Sequence, residues 1–119
     1  MVTEVIDILI ADTGVQNLVG RNKENDKYKV YPVVAPQKEQ IPYVTVRLTG
    51  KAKAGKGCEY NYTVSVTSFC KNYDDVSALD DAVLAAMETD QKISLDSTSD
   101  NWIQADGNGI YTKTSTFSV

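Results

Sequence analysis

Histidine is absent from this chain of 119 residues, and cysteine and proline are scarce, with two and three residues respectively. Without histidine the chain lacks the usual general base of nucleophilic catalysis and the commonest metal ligand. It also lacks any run that approaches the roughly 18 apolar residues of a membrane-spanning helix. These absences argue against an enzyme, and they predict a protein that needs no cofactor or metal and contacts no membrane.

Basic charge is also in deficit. The chain has 12 Lys and Arg residues against 16 Asp and Glu residues, which gives a formal net charge of -4. A protein that binds DNA or RNA without sequence preference depends on neutralising phosphates, so this balance argues against that class. Apolar residues make up 42% of the chain. At this length they suffice for one domain, residues 1–119, around a single core.

The two cysteines, Cys58 and Cys70, stand at the two ends of a predicted strand. An unbroken strand would hold them roughly 40 Å apart, whereas a disulfide needs Cα atoms within about 7 Å. We therefore expect two small apolar side chains in a reducing compartment. The acidic Glu4 and Asp7 are unlike the basic start of a secretory signal peptide, so we expect no secretion by that route.

The first twenty residues carry apolar side chains at helical spacing and predict two short helices. We expect Thr3 to cap the first helix and Thr13 to cap the second, in a capping box with Gln16. Gly20 stands where a left-handed residue would end the second helix. The residues expected to face inward are Val5, Ile6, Leu9, Ile10, Val15, Leu18 and Val19.

Three strands are predicted in the middle of the chain from β-branched and aromatic runs. The first, Tyr28–Val34, contains Pro32, which indicates an edge strand or a bulged strand, because proline cannot donate a hydrogen bond to a neighbour. Tyr43–Thr49 alternates cleanly, and Cys58–Cys70 is the longest alternating run. Between them, Lys51–Gly57 is basic but lacks the spacing of a phosphate-binding loop. It is typical of a flexible hairpin tip, or alternatively of a loop that becomes ordered against a partner.

The clearest helix is predicted over Asp74–Glu88. Its acidic residues Asp74, Asp81 and Glu88 fall on the side away from the apolar stripe and indicate a solvated face rather than a cation site. Ala82 and Ala85 are expected to allow close approach to the sheet. The inward stripe is predicted to consist of Val76, Leu79, Val83, Ala86 and Met87.

The remaining residues predict a short strand at Ile93–Leu95, turns over Asp96–Asn101, and a strand at Trp102–Ala105. The sequence Asp106–Gly109 is a strong hairpin turn and leads into a last strand, Ile110–Val119. The predicted order is two helices, three strands, one helix and three strands. We therefore expect an α+β fold, with one antiparallel or mixed sheet and helices packed on one of its faces.

Six stretches of this sequence, in this order, resemble segments of a known family. They are Asn17–Gly20, Val30–Gln37, Ile41–Val46, Tyr62–Phe69 followed by Asp74–Val83, and the closing hairpin Asp106–Tyr111. The pattern resembles the tail-completion or tail-terminator proteins of long-tailed bacteriophages. The segment Tyr-Pro-x-x-Ala-Pro-Gln at residues 31–37 is the most specific part of the likeness, which covers nearly the whole chain.

The resemblance implies structural work in a virion of a phage or prophage. Such proteins form a ring, usually of six subunits, that caps the tail tube at its head-proximal end, stops its polymerisation and joins it to the head. The implied partners are other copies of the chain, the tail tube protein and a head-completion or connector protein, which meet in the bacterial cytoplasm. Genomic DNA would pass through the ring without specific binding, past like-charged walls, since a hexamer would carry a net charge of roughly -24.

Contacts between subunits or with partners are expected at the strand Tyr28–Val34 and in the basic loop. The candidate residues are Tyr28, Tyr31, Lys51, Lys53 and Lys56. Two alternatives to a tail terminator stay open at this point. One is another ring component of the neck or head–tail joint, and the other is a small monomeric adaptor that binds one host protein.

Overall fold

A computed structural model of the chain describes residues 2–21, 27–33, 41–54, 59–89, 93–105 and 108–118. The described residues form three helices and five strands. In chain order these are α1 (Val2–Ala11), α2 (Thr13–Val19), β1 (Val30–Pro32), β2 (Tyr43–Ala54), β3 (Glu59–Cys70), α3 (Tyr73–Met87), β4 (Ser94–Ala105) and β5 (Asn108–Ser118). None of the described helices has the length and apolar character needed to span a bilayer.

The strands form one mixed sheet in the order β1-β2-β3-β5-β4. β1 runs parallel to β2, and all other neighbours are antiparallel. The three-residue β1 lies at one edge and ends at Pro32, in agreement with the edge position predicted from that proline. The predicted α+β fold with a mixed sheet is thereby confirmed.

The core lies between the three helices and one face of the sheet, called here the covered face. Alternate valines of the central strands point into it, because side chains alternate along a strand. One connected cluster of buried side chains joins both layers. It includes Val5 and Leu9 of α1, Val15 and Val19 of α2, Val76, Leu79, Val83, Ala86 and Met87 of α3, and Val44, Val46, Val64, Val66 and Phe117 of the sheet.

The ends of the first two helices differ from the prediction. Thr3 lies inside α1, which begins at Val2, and is therefore not its cap. Asp12 caps α2 instead of Thr13, because its Oδ1 accepts a hydrogen bond from the backbone N–H of Val15 at 3.1 Å. The expected partner in the capping box, Gln16, uses its side-chain amide to donate to the carbonyl of Ile10 at 2.6 Å.

Two further predictions near α2 had opposite outcomes. Gly20 has a φ of 69°, in the left-handed region that favours glycine, so the predicted stop after α2 is confirmed. Leu18 was expected to face the core, but 39% of its surface is exposed. The other two side chains predicted to face inward from this helix, Val15 and Val19, are both buried.

The prediction for α3 is correct in its bounds to within one residue and in all five inward side chains. Asp74, Asp81 and Glu88 are exposed, as expected. Ala85 is exposed too, so it does not allow the close approach that was expected of it. Ala82 is partly buried against the core. It faces Gly14 of α2, where an added Cβ atom would lie 3.6 Å from the Cβ of Ala82.

The largest error of the prediction concerns β4. Residues 94–105 form one continuous strand, where the sequence predicted a short strand, a turn over Asp96–Asn101 and another strand. β4 is a strand because β5 pairs with it along its whole length, and the ladder supplies backbone hydrogen bonds that its polar side chains do not predict. Ala105 pairs with Asn108, which confirms the predicted hairpin, although residues 106 and 107 lie outside the described residues.

β2 also extends further than predicted. Its residues 51–54 pair with residues 59–62 of β3, so Lys51 and Lys53 belong to a strand and not to a loop. Lys56 and Cys58 lie outside the described residues. Because β5 pairs with β3 only as far as Thr63, the segments 50–54 and 59–63 form a two-stranded arm, called here the basic ribbon, at one end of the sheet.

At the other end of the sheet, residues 102–105 and 108–111 form a hairpin, called here the tryptophan hairpin. It extends beyond Cys70, the last residue of β3.

Candidate functional site

Tyr28, the first predicted contact residue, is held by its own chain. Arg21 donates a hydrogen bond from Nη2 to its hydroxyl at 3.2 Å, and the guanidinium carbon lies 4.8 Å from the centre of its ring. The two residues also form a backbone β-bridge. Tyr28 is partly buried against the core, so it fastens the segment before β1 to the body of the protein.

The other predicted contact residues lie in two separate places. Tyr31 is half-buried in β1 and pairs with Thr45 of β2. Lys51 follows Val46, the last β2 residue paired with β1, by five positions, which is about 17 Å along a strand. The two tyrosines therefore lie near one edge of the sheet, and Lys51 and Lys53 lie on the basic ribbon. The structure does not bring them together into one site.

The face of the sheet opposite the helices carries a dense array of hydroxyl groups, called here the hydroxyl face. Ser65 and Thr116 lie 3.3 Å apart and Thr67 and Thr114 lie 3.1 Å apart, so neighbouring hydroxyls hydrogen-bond across the strands. Such pairs keep the side chains of a polar face in a fixed arrangement. The members of this face are Thr45, Thr63, Ser65, Thr67, Ser97, Ser99, Thr112, Thr114, Thr116 and Ser118.

The two edges of the sheet differ strongly. At the first edge β1 covers only residues 44–46 of β2. At the second, β4 is exposed from Ser94 to Trp102, and no described strand pairs with its outer side. Two large apolar side chains on β4 are half-exposed, Leu95 at 48% and Trp102 at 51%. A long strand with an unpaired edge is a ready surface for contact with another chain.

A buried carboxyl group connects α3 to the sheet. Asp80 is 1% exposed and accepts a hydrogen bond from Ser115 Oγ at 2.8 Å, and this hydroxyl lies 3.1 Å from that of Thr98. Burial raises the pKa of Asp80, while the Ser115 hydrogen bond and the charge of Lys113 oppose that rise. Sequence reasoning missed Asp80, although it follows the inward Val76 by four residues and therefore lies on the same side of the helix.

A polar and aromatic cluster lies beside this link at the N-terminal end of α3. Lys113 and Asp100 form an ion pair at 3.7 Å, and the Tyr73 hydroxyl donates to Asp100 Oδ2 at 3.2 Å. The Tyr73 ring contacts Tyr111 edge to face, with 5.9 Å between ring centres. Lys113 Nζ lies 5.7 Å from the centre of the Tyr73 ring. These contacts fasten the tryptophan hairpin to α3.

Trp102 lies across the backbone of the neighbouring strand. A Cβ atom added to Gly109 would come within 2.5 Å of the indole Nε1 and 2.9 Å of two ring carbons. Gly109 is therefore needed for the indole to lie flat on the hairpin. The side chain is half-exposed and lies against Gly109, which is a feature that sequence reasoning did not single out.

A groove of about 340 Å³ opens between α2 and α3 at the end of β3. Its lining residues are Asn17, Leu18, Ile41, Pro42, Cys70, Lys71, Asp75 and Leu79. Burial raises the pKa of the Cys70 thiol to about 11, which keeps it protonated at neutral pH. Within the described ranges no three His, Cys, Asp or Glu side chains come close enough to hold a metal ion.

Taken together, the described residues define an α+β domain with an exposed edge strand, a half-exposed tryptophan, a groove between α2 and α3 and a hydroxyl face. No protein-family model matches the chain, and no curated protein matches it in sequence. Among solved structures, one chain from a structure described as the virion of a native gene transfer agent (GTA) particle has the same fold, with a TM-score of 0.70. The match covers 96% of this chain and 89% of that chain at 15% identity, and at that identity it shows the fold alone.

Proposed function

We propose that the protein is a structural component of a phage or phage-like virion, and that it acts as a tail terminator. In this role several copies form a ring, a hexamer in the simplest case, on the head-proximal end of the tail tube. The ring stops polymerisation of the tube and provides the surface to which a head-completion or connector protein binds. Genomic DNA passes through it without specific binding. The role is mechanical and involves no catalysis.

The observation that carries the proposal is the likeness to a chain of a gene transfer agent virion over 96% of this chain. It was found independently of the segment order that resembles tail terminators, and both lead to a virion component. Because the match also covers 89% of the other chain, the two chains are alike over nearly their whole lengths and not only over a shared fragment.

The two unlike edges of the sheet also support a ring. Closed cyclic assembly requires a heterologous contact, in which one patch of a subunit meets a different patch of the next. The short β1 edge and the long β4 edge present such different patches on opposite sides of one domain. One connected cluster of buried side chains lies between them and joins the sheet to all three helices.

The proposal is tested by deleting the gene in the phage or prophage that encodes the chain and measuring tail length by negative-stain electron microscopy. Without a terminator, tube polymerisation has no stop, so we expect tails of variable and excessive length that carry no heads. Supplying the wild-type gene from a plasmid should restore uniform tails and infectivity. Tails of normal length that lack heads would contradict the terminator role and favour a neck-ring component.

Solution mass separates a ring protein from a monomeric adaptor. We expect sedimentation velocity to detect a multiple of the 13.1 kDa chain, either for the protein alone or in the presence of purified tail tubes from the same virion. The tube is included because a ring can require its template to close. A mass of one subunit at high concentration, with no binding to tubes, would contradict the proposal and favour the adaptor.

A further inference from the structure

A short chain of polar side chains leads from the interior of the protein to its exposed edge strand. Asp80 of α3 is 1% exposed and accepts a hydrogen bond from Ser115 Oγ of β5 at 2.8 Å. Ser115 is completely buried, and its Oγ lies 3.1 Å from Thr98 Oγ1 of β4. Thr98 itself is exposed. The three side chains therefore form a continuous path from a buried carboxyl group to a strand in contact with solvent.

The protonation state of Asp80 decides which way the hydroxyl protons of this chain point. An ionised carboxylate can only accept, so Ser115 donates to it and offers its own oxygen to the Thr98 hydroxyl. A protonated carboxyl group can donate to Ser115, which then donates to Thr98 instead. A hydrogen bond to an ionised group is roughly twice as strong as a neutral one and strengthens the next bond in the chain. The contact between β5 and β4 is therefore stronger when Asp80 is charged.

β4 is sensitive to such a change because few other side-chain contacts hold it. All its side chains from Ser94 to Trp102 are exposed, so burial of apolar surface contributes little to its attachment. The contacts of Asp96 and Asp100 with β5 are formed by exposed carboxylates, which water and salt screen. The contact of Thr98 differs from these because its partner hydroxyl is buried.

We propose that the path from Asp80 through Ser115 to Thr98 relays the protonation state of the buried carboxyl group to β4, so that this edge strand is held more firmly when Asp80 is charged. The inference goes beyond the proposed function and does not depend on it. No described strand pairs with the outer side of β4, so the relay makes the rigidity of an edge that is open to another chain depend on pH.

Charged groups from three elements act on Asp80. Lys113 of β5 favours its ionised form, whereas Asp81 of α3 and Asp100 of β4 disfavour it. Lys113 and Asp100 also form an ion pair at 3.7 Å, so their effects on Asp80 oppose each other. On β3, the residue that pairs with Ser115 is the uncharged Val66. Burial has the largest effect and raises the pKa of Asp80, so this carboxyl group changes its charge at a higher pH than an ordinary aspartate.

The first experiment uses the reciprocity of the relay. If ionisation of Asp80 strengthens the contact of Thr98, the Thr98 hydroxyl must favour ionisation of Asp80 by the same free energy. Thr98→Val replaces this hydroxyl by a methyl group, so we expect it to raise the pKa of Asp80, measured by NMR titration of its carboxyl carbon. Ser115→Ala should raise that pKa further. The control, Thr116→Val, makes the same change on the opposite face of the sheet and should leave the pKa as in wild type.

The second experiment measures hydrogen exchange of the full chain below and above the pKa of Asp80, corrected for the intrinsic effect of pH. Amides of β4 near Thr98 should exchange roughly 2–5-fold more slowly when Asp80 is charged, because their strand is held by a charge-assisted chain. Amides of β3 should not slow, because burial of the charge lowers the stability of the whole domain over the same pH range. Asp80→Asn cannot ionise and should remove the slowing on β4, whereas the control Asp100→Asn should keep it.

Two results would overturn the inference. A pKa of Asp80 that responds to Ser115→Ala but not to Thr98→Val would confine the effect of the proton to the buried pair. A slowing of exchange on β4 that persists in Asp80→Asn, or that disappears in Asp100→Asn, would assign the pH dependence to an exposed carboxylate.

Discussion

The part of the sheet under the helices and the strand at its far edge are held by different forces. On the covered face of β2 and β3, the side chains of Val44, Val46, Val64 and Val66 have no exposed surface. On β4, all side chains from Ser94 to Trp102 are exposed. β4 therefore depends on its backbone ladder with β5 and on a few hydroxyl and carboxyl contacts, rather than on removal of apolar surface from water.

This difference indicates that the strands that stabilise the fold by burial are not the strand whose surface is available to another chain. A central strand under helices contributes burial and has no free surface for a partner. An edge strand with two solvated faces contributes little burial, and its outer side remains available to another chain. The five predictions below measure how sharply this division holds, beginning with the largest expected effect.

Loss of a core side chain should cost far more than loss of an equally large side chain on β4. Leu79→Ala removes a fully buried side chain of α3 and leaves a cavity, so we expect the free energy of unfolding to fall by about 2–5 kcal/mol in urea titrations. Leu95→Ala, at 48% exposure, is the control and should cost less than about 1 kcal/mol. Similar losses of unfolding free energy for the two variants would contradict the proposed difference between the core and β4.

On β5 the covered face also contains a buried polar contact, the hydrogen bond from Ser115 to Asp80, which Ser115→Ala removes. The variant leaves the buried Asp80 without its hydroxyl donor, so the free energy of unfolding should fall by about 1–3 kcal/mol. Ser65→Ala is the matched control on the hydroxyl face. Ser65 is half-buried and its hydrogen bond to Thr116 is between neutral groups, so the control should lose about 1 kcal/mol or less.

The pH dependence of the same variants gives a second readout. Because the folded-state pKa of Asp80 is raised above its ordinary value of 3.8, its stabilising contribution is complete below that value and is lost as pH rises through the raised pKa. Ser115→Ala removes a hydrogen bond that lowers this pKa, so its cost should be larger at neutral than at acidic pH. Asp80→Asn should abolish that part of the pH dependence, and an unchanged profile would count against this account of Asp80.

The helices that create the covered face depend in turn on how their ends are capped. Asp12→Ala deletes the side chain that accepts from the Val15 N–H, and we expect a loss of about 1 kcal/mol in the free energy of unfolding. Thr13→Ala, one residue further on, should have almost no effect, because Thr13 is already inside α2. A larger loss of unfolding free energy for Thr13→Ala than for Asp12→Ala would contradict this result and favour the predicted capping box, with Thr13 as the cap.

Sequence reasoning succeeded where burial dictates the pattern and failed where it does not. The alternation on β3 and the stripe on α3 follow from one buried side, and both predictions are confirmed. β4 has no buried side, so its serines and aspartates suggested a turn, and only the partner strand β5 makes it a strand. Asp80 was missed because its carboxyl group is buried with a partner, Ser115, that lies 35 residues away. The groove and the seat of Trp102 depend on packing between distant segments, which no local pattern encodes.

The smallest expected effect concerns a buried hydroxyl group on the covered face. Ser68 on β3 is completely buried among the described residues, and its hydroxyl has no hydrogen-bond partner there. Ser68→Ala removes this unsatisfied group at little cost in packing, so the free energy of unfolding should rise by about 0.5–1 kcal/mol. Thr67→Ala on the opposite face is the control, and it should lower stability slightly because its hydroxyl is paired with Thr114. If Ser68→Ala proves destabilising, the hydroxyl has a partner in solution, such as a buried water molecule, and the covered face is more polar than its valines suggest.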